Sequence, residues 1–333
     1  MTKTVIRRFL IMIPQLIILS FIIFFLADRM PGDALRGLIT PDMSPAILEE
    51  LRERHGLNNP WYIQYFDWMR GMIVDRDFGA SIVHHTPVFD MIGFRMLNTI
   101  RLSALTTLLT YLIALPLGII AGRKHGKFID KSIMFYTFVA LAMPTVILAL
   151  IFLVLFGFGR DIQIGSFIIN FGVFPVLGSV DPLAYAAGGL TSFFSRIHHL
   201  ILPAITGALL STITLIYFLR SEIIDAETSD YVTTARAKGV PEKKIYTGHI
   251  FRNACLPIAG GFAGIVTGLF GGSIFIETVF TYPGMGQLFI ESLSIRDFPV
   301  LNILIMFFGI MSVITGLLSD IIITIVDPRI RIK

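Results

Sequence analysis

Six long apolar runs divide the 333-residue chain, and none of them contains a charged side chain. A helix needs about 20 apolar residues to cross the hydrocarbon core of a bilayer, and each run is close to that length or longer. The runs are Phe9–Ala27, Leu102–Gly122, Ser132–Gly159, Leu200–Leu219, Ala254–Ile276 and Phe298–Ser319. The pattern predicts an all-α integral membrane protein with six transmembrane helices.

A seventh uncharged run, Ile162–Val180, differs from the others in composition. It contains Gly165, Gly172, Pro175 and Gly178, which interrupt regular structure. This run is therefore interpreted as an apolar loop or a partial helix, and not as a span.

The basic residues support six spans, because cytoplasmic loops of membrane proteins are enriched in lysine and arginine. With six spans, all four basic segments lie on the cytoplasmic side, whereas a seventh span would place two of them outside. The segments are the N-terminus (Lys3, Arg7, Arg8), the second-to-third loop (Arg123, Lys124, Lys127, Lys131), the fourth-to-fifth loop (Arg236, Lys238, Lys243, Lys244, Arg252) and the C-terminal tail (Arg329, Arg331, Lys333). We expect a multi-pass cell-membrane (plasma or inner membrane) protein with both termini in the cytoplasm.

The first apolar run resembles a signal peptide only in its basic flank. Its 19 residues exceed an h-region of about 7–15, and no small-residue cleavage site follows. It is interpreted as an uncleaved span. The predicted organisation is a cytoplasmic tip and first span (1–29), a small external domain (30–98), a membrane core (99–326) and a basic cytoplasmic tail (327–333).

The external segment Met30–Asn98 contains both tryptophans of the chain, among clustered aromatic residues. The cluster is compatible with a peptide- or partner-binding face, or with an interfacial aromatic belt and a small core. Two histidine pairs, His84-His85 and His198-His199, invite a metal hypothesis. Adjacent residues do not share a helical face, and a site needs three or four converging ligands, so no metal is expected.

Composition agrees with a membrane protein. Hydrophobic residues make up 54% of the chain and charged residues 15%, against about 25% in typical soluble domains, and the mean hydropathy is +0.77. Cys255 is the single cysteine, which excludes an intrachain disulfide and a cysteine-based metal site.

The segment 221–257 is the most informative part of the chain. Asp230 is suited to cap a helix that starts at Tyr231, and Gly239 to end it in the left-handed conformation. Pro241 is suited to start a second helix, with Glu242 in its first turn.

Ala235 and Ala237 are small enough to permit close approach by another surface. A helix–glycine–helix unit of this kind is compatible with partner docking. A solvated basic loop that only orients the chain remains an alternative.

Sequence motifs then identify a resemblance. The run Asp230-Tyr-Val-x-x-Ala-Arg-Ala-Lys-Gly239 closely resembles the "EAA" loop of binding-protein-dependent ABC importer permeases of the dipeptide/oligopeptide/nickel group. Thr234 and its neighbours replace the literal Glu-Ala-Ala, as is usual in the peptide group. The other matching motifs are His249-x-x-Arg-Asn253-Ala, Leu256-Pro257, Pro31-Gly32-Asp33, His55-Gly-Leu-Asn-x-Pro60 with Gln64-Tyr65, Asp77-Phe78-Gly79-x-Ser81, Thr278-x-Phe-x-Tyr-Pro283-Gly-x-Gly286 and Asp327-Pro328-Arg329.

The resemblance covers nearly the whole chain and is greatest to the oligopeptide permease B subunit. It implies the type I ABC importer permease fold, and a loop that forms a coupling helix in a cleft of a cytoplasmic ATPase. The contact is expected at Thr233–Val240. The residues that the resemblance assigns to the loop are Asp230, Tyr231, Thr233, Thr234, Ala235, Arg236, Ala237, Lys238, Gly239, Val240 and Pro241, and those of its return are His249, Arg252, Asn253 and Pro257.

The resemblance also implies the partners. They are a second homologous permease subunit, two ABC ATPase subunits, an extracytoplasmic peptide-binding protein, the peptide substrate and the bilayer, without nucleic acid. The cargo expected is an oligopeptide, with dipeptides, nickel chelates or another small solute as alternatives. Polar residues in the spans are too few to identify the substrate pathway.

No catalytic activity is expected of this chain. Gly126-Lys127-Phe128 lacks the upstream glycine and the Ser/Thr of a Walker A loop, so ATP and Mg are expected on the partner ATPases and no cofactor on this chain. A secondary transporter or channel would usually place ionisable residues within its spans, where none occur here; Glu277 and Asp320 lie at span edges. No nucleophile–base pair indicates a membrane enzyme.

Overall fold

The computed structural model describes residues 2–29, 44–54, 56–158, 161–164, 167–170, 174–254, 268–269 and 273–326, and helices dominate them. The helices are α1 (Thr2–Asp28), α2 (Pro45–Arg54), α3 (Trp61–Arg70), α4 (Val88–Arg123), α5 (Phe128–Ala142), α6 (Thr145–Phe152), α7 (Pro182–Ala187), α8 (Gly189–Glu227), α9 (Asp230–Ala237), α10 (Glu242–Lys244), α11 (Phe251–Ala254), α12 (Ile274–Val279), α13 (Met285–Ile295) and α14 (Phe298–Val326). Wider π-helical turns follow α3, α6 and α10, at Gly71–Asp75, Leu153–Gly157 and Ile245–Ile250.

Four helices, α1, α4, α8 and α14, are long and apolar enough to cross a membrane. They contain the first, second, fourth and sixth predicted spans. The pair α5 and α6 provides one more crossing if it forms a single bent span. The predicted fifth span, Ala254–Ile276, lies mostly outside the described residues. The described residues therefore contain four or five of the six predicted spans.

The predicted third span is two helices and not one. The axes of α5 and α6 differ by 101°. Met143 between them is extended, with φ −87° and ψ 113°, because the ring of Pro144 disfavours helical geometry in the residue before it. Hydropathy alone does not detect such a break, because Pro144 lies inside a continuous apolar run.

A short β-hairpin departs from the predicted all-α fold. Strand β1 (Asp161–Ile164) pairs antiparallel with β2 (Phe167–Asn170), so that Asp161 lies opposite Asn170. The described residues of the run Ile162–Val180 are strand or irregular chain, and none is helical. Of the two interpretations of this run, an apolar loop or a partial helix, the described residues agree with the loop, and they contain no spanning helix.

The chain folds as two compact units, of which the first comprises Met1–Thr99 and Pro283–Leu317. Within it, the start of α4 packs against α13 and α14. The hydroxyl of Ser81 donates to the carboxylate of buried Asp297, which also accepts the N–H of Ile82 at 3.2 Å. The buried core residues are Val88, Ile92, Met285, Leu288, Val300, Ile303 and Leu304.

The aromatic cluster of the predicted external domain packs on α1 in this first unit. The ring of Tyr65 lies 5.7 Å from that of Phe21 and 5.6 Å from that of Phe24, between centroids. The Tyr65 hydroxyl lies 3.0 Å from the hydroxyl of buried Ser20. These contacts support the interpretation as a small core over that as a binding face.

The second unit comprises Ile100–Tyr282 and Leu318–Lys333, and α4 and α8 pack closely within it. A Cβ atom on Gly118 would lie 2.8 Å from Cβ of Leu219, and one on Gly122 would lie 2.8 Å from Cβ of Ile223. Glycines spaced four apart allow helix backbones to approach in this way. Along this contact the residue numbers increase in the same direction on both helices, from Gly118 and Leu219 to Gly122 and Ile223. The two helices therefore run parallel.

Parallel packing of α4 and α8 limits the topology between them. If both helices cross the membrane in the same direction, the chain crosses an odd number of times in between. One crossing by α5 and α6 meets this requirement. A second crossing in the run Ile162–Val180 would not.

Candidate functional site

Helix α9 forms the first half of the segment expected to dock a partner. It begins at Asp230, with Ser229 in the N-cap position, and no side chain caps its N-terminus by a hydrogen bond. The prediction that Asp230 caps a helix starting at Tyr231 is therefore wrong by one residue. Asp230 lies in the first turn, where its carboxylate interacts favourably with the helix dipole.

The end of α9 is a Schellman motif, in which the chain reverses through a left-handed residue. Gly239 has φ +73°, as predicted. Its N–H donates to the carbonyl of Arg236 at 2.9 Å, and the N–H of Val240 donates to the carbonyl of Ala235 at 3.1 Å. The motif fixes the turn to the next helix, which begins at Glu242, directly after Pro241.

One face of α9 is anchored within the chain. Val232 is fully buried and Ala235 is 8% exposed, in a cluster with Ile223, Ile245 and Ile250. Ala235 therefore serves packing inside the chain, contrary to the expectation that it admits an outside surface. Exposed residues of this segment are Asp230, Tyr231, Thr233, Thr234, Arg236, Ala237, Lys238, Gly239 and Pro241, while Val240 is half-buried.

A carboxylate at the end of α8 connects the two halves of the loop. Glu227 Oε1 accepts a hydrogen bond from the guanidinium of Arg236 at 3.3 Å and from the hydroxyl of Tyr246 at 2.6 Å. Arg236 also donates from Nε to Glu242 at 2.8 Å. The Arg123 guanidinium lies 4.5 Å above the Tyr246 ring centroid, within cation–π range. These contacts fix the angle between α9 and the helix that follows.

Two side chains of this network, Tyr246 and Arg236, have raised pKa values. Burial, and then the hydrogen bond to Glu227, raise the pKa of Tyr246 to about 12, so its phenol remains a donor. The hydrogen bond to Glu242 raises the pKa of Arg236 above its usual value. The side chain of Arg236 therefore keeps its positive charge.

A second ion pair fixes the end of α8 just before this loop. The Arg220 guanidinium donates from Nε to Asp130 Oδ1 at 2.6 Å and from a terminal nitrogen to Oδ2 at 2.9 Å. Asp130 is 2% exposed and also accepts the N–H of Gly126 at 2.8 Å. Such a bidentate geometry is stronger and more directional than a single contact. It joins the start of α5 to α8.

The return of the loop is described only in part. The backbone of His249 lies in the π-helical turn, and that of Arg252 and Asn253 lies in α11. Pro257 lies outside the described residues. Their expected role in shaping the return stays a prediction.

The histidine pairs do not form a metal centre in the described part of the chain, where no group of three or more His, Cys, Asp or Glu side chains could hold a metal ion. Buried His199 instead has Nδ1 2.8 Å from the carbonyl of Ser195. The segment around α9 presents an anchored helix with a mixed polar surface, which is suited to protein contact.

Sequence reasoning missed Glu227, Tyr246, Arg220 and Asp130. Glu227 and Arg236 are nine residues apart across a helix boundary, and Asp130 and Arg220 are 90 apart, so no local spacing indicated either pair. The Gly118-x-x-x-Gly122 spacing, in contrast, is a detectable signal for close helix packing.

Two family models match the chain. That for the binding-protein-dependent transport system inner membrane component matches residues 114–332. That for the N-terminal part of such membrane components matches residues 1–109. The first match includes α8, α9 and the whole segment 221–257.

Relatives that match over the full length of the chain belong to the same kind of transport system as the family models. The oligopeptide transport system permease protein AppB of Bacillus subtilis (strain 168) is 37% identical over 334 residues, which cover 99% of this chain and 100% of the relative. The glutathione transport system permease protein GsiC of Escherichia coli (strain K12) is 29% identical over 334 residues, which cover 100% of each. The chain therefore belongs to the family of binding-protein-dependent transport system inner membrane components, the permeases of ABC importers.

Proposed function

We propose that this chain is the membrane subunit of an ATP-driven importer of oligopeptides and that α9 is its contact with the ATPase. The similarity to the Bacillus relative, an oligopeptide transport system permease, supports the cargo. The Escherichia relative, a glutathione permease, favours short peptides as a second candidate cargo. Dipeptides, nickel chelates and other small solutes remain alternatives.

In this proposal the chain crosses the membrane six times with both termini in the cytoplasm. The basic segments and the parallel packing of α4 and α8 support that topology. A second, homologous permease encloses the pathway with this chain. Two ATPases, which bind ATP and Mg, lie on the cytoplasmic side, and an external binding protein delivers the peptide.

The main support for the coupling role is that α9 has one buried face and one exposed face. Val232 and Ala235 anchor one face in the chain, while Thr233, Thr234 and Ala237 are exposed. Force applied to the exposed face is transmitted through Val232 to Ile223 of α8, in the same cluster. Ile223 in turn contacts α4 at Gly122. Movement of α9 is therefore passed to two spans.

The test places a bulky side chain on the exposed face. Ala237→Trp should leave the anchored face intact, because Ala237 is exposed. We expect it to reduce ATPase affinity in co-purification at least about tenfold, equivalent to ~1.4 kcal/mol, and to reduce ATP-dependent peptide uptake accordingly.

The matched control is Lys124→Trp, an equally bulky change at an exposed residue between α4 and α5. It should retain both ATPase binding and uptake. Normal binding and uptake by Ala237→Trp would contradict the assignment of α9.

A further inference from the structure

A cavity of about 260 Å³ opens among α4, α6, α8 and α12 in the second unit. Hydroxyl side chains dominate its polar lining: Ser103, Thr106, Thr107, Thr145, Ser211 and Ser273. No ionisable side chain lines it among the described residues. In the proposed topology, it extends from the external end of the spans towards their middle.

These hydroxyls differ from many others on the helices. Thr110, Thr206 and Thr212, for example, each donate to a carbonyl of their own helix. Within the part of the chain that the structure describes, none of the six cavity hydroxyls makes a side-chain hydrogen bond. Among the described residues, the buried side-chain polar atom that lacks a hydrogen-bond partner is Asn302 Oδ1. The six hydroxyl oxygens also lack partners but are not in this buried class, so they are accessible.

The six hydroxyls converge because of helix periodicity. Ser103, Thr106 and Thr107 lie on one face of α4, at i, i+3 and i+4. Ser211 faces the same cavity from α8, one turn beyond Gly207. A Cβ atom on Gly207 would lie 3.0 Å from Thr106 Cγ2, so glycine allows the two helices to approach at the cavity wall.

We propose that this cavity is a subsite for the main chain of a peptide in transit. Each peptide unit carries one N–H donor and one C=O acceptor, and a hydroxyl serves either. The described lining carries no charge, so it forms no ion pair with a cargo side chain. At about 260 Å³ the cavity is slightly smaller than typical ligand pockets of about 300–1,000 Å³, so it holds a segment of a peptide.

The proposal rests on the proposed function, and one experiment tests the two separately. The complete transporter, with its partner permease, ATPases and binding protein, is reconstituted in liposomes, and ATP-dependent uptake of radiolabelled tri-alanine and of a mixed-sequence pentapeptide is measured. The variant Thr106→Val/Thr107→Val/Ser211→Ala removes three hydroxyls and keeps similar side-chain shapes. We expect its kcat/KM to fall at least about tenfold for both peptides, because hydrogen bonds of modest net strength are lost together.

The matched control is Ser132→Ala on α5, which removes an exposed hydroxyl bonded to the carbonyl of Phe128. Its uptake should equal that of the wild type. No uptake by the wild-type complex would overturn the proposed function and the subsite with it. Wild-type uptake with unchanged kinetics in the triple variant would overturn the subsite alone.

A second measurement does not depend on the folding of a variant. A benzophenone-bearing pentapeptide is photo-crosslinked to the wild-type complex during turnover, and the labelled segments are mapped by mass spectrometry. We expect labels at 103–107 and 207–211. Labelling of these segments by a benzophenone phospholipid and not by the peptide would show a lipid-filled cavity and overturn the proposal.

Discussion

At the scale of single residues, Gly239 shows how one backbone angle sets the shape of the proposed docking segment. Its φ of +73° is available to glycine at little cost, whereas other residues lose about 1–2 kcal/mol there. A Cβ atom at this position would meet nothing within 4 Å. The requirement for glycine is therefore conformational and not steric.

Replacement of Gly239 by alanine should destabilise the end of α9 by about 1 kcal/mol, because alanine is strained at positive φ. Gly239→Asn should cost less, since asparagine tolerates this conformation. Amide hydrogen exchange of the purified chain in detergent measures the change at 230–241. Gly248→Ala is the matched control: Gly248 has no positive φ, and a Cβ there also meets nothing within 4 Å. Equal protection in both alanine variants would contradict the strain argument.

At the scale of elements, α4 and α8 depend on glycines for their contact. The positions Gly118 and Gly122 on α4 face Leu219 and Ile223 on α8 at distances that leave no room for a methyl group. Helices in a membrane gain association energy mainly from close packing, because lipid provides no hydrophobic difference. The same α8 segment contacts α9 through Ile223, so this packing connects the proposed docking segment to the spans.

Gly118→Ala should therefore destabilise the chain by about 1–3 kcal/mol, because the two helices must separate to admit the added methyl group. Gly93→Ala, on the exposed surface of the same helix, meets nothing within 4 Å. Its higher helix propensity should make it neutral or stabilising by up to about 1 kcal/mol. Thermal unfolding in detergent compares the two variants. A similar loss of stability in both would show that the glycine contact is unimportant.

Elements differ in how far the sequence predicts them. Long uncharged runs predicted α1, α4, α8 and α14, because hydropathy measures the property that a bilayer requires. The turn at Gly239 was also predictable, since few residues adopt its conformation. The break at Pro144 has a local cause, but Pro116 and Pro203 lie inside continuous helices, so a proline within an apolar run does not by itself predict a break. The hairpin Asp161–Asn170 and the contacts of Glu227 depend on tertiary structure. Neither hydropathy nor local spacing carries that information.

At the scale of the whole molecule, two independent observations favour the same topology. The basic segments share one side only if the chain crosses six times. Parallel packing of α4 and α8, from Thr106 against Gly207 to Gly122 against Ile223, requires an odd number of crossings between them. Charge distribution and helix packing are unrelated physical properties, so their agreement supports the six-span topology more than either alone.

This topology predicts which side of the membrane each loop occupies. In a Cys255→Ser background, single cysteines replace Leu183, which is 82% exposed, and the exposed residues Lys124 and Ala237. A membrane-impermeant maleimide should label Leu183→Cys in intact cells, and Lys124→Cys and Ala237→Cys only in inverted vesicles. ATP-dependent uptake identifies variants that remain folded. Labelling of Leu183→Cys only from the cytoplasmic side would require an additional crossing in the run Ile162–Val180, and would also contradict the parallel packing of α4 and α8.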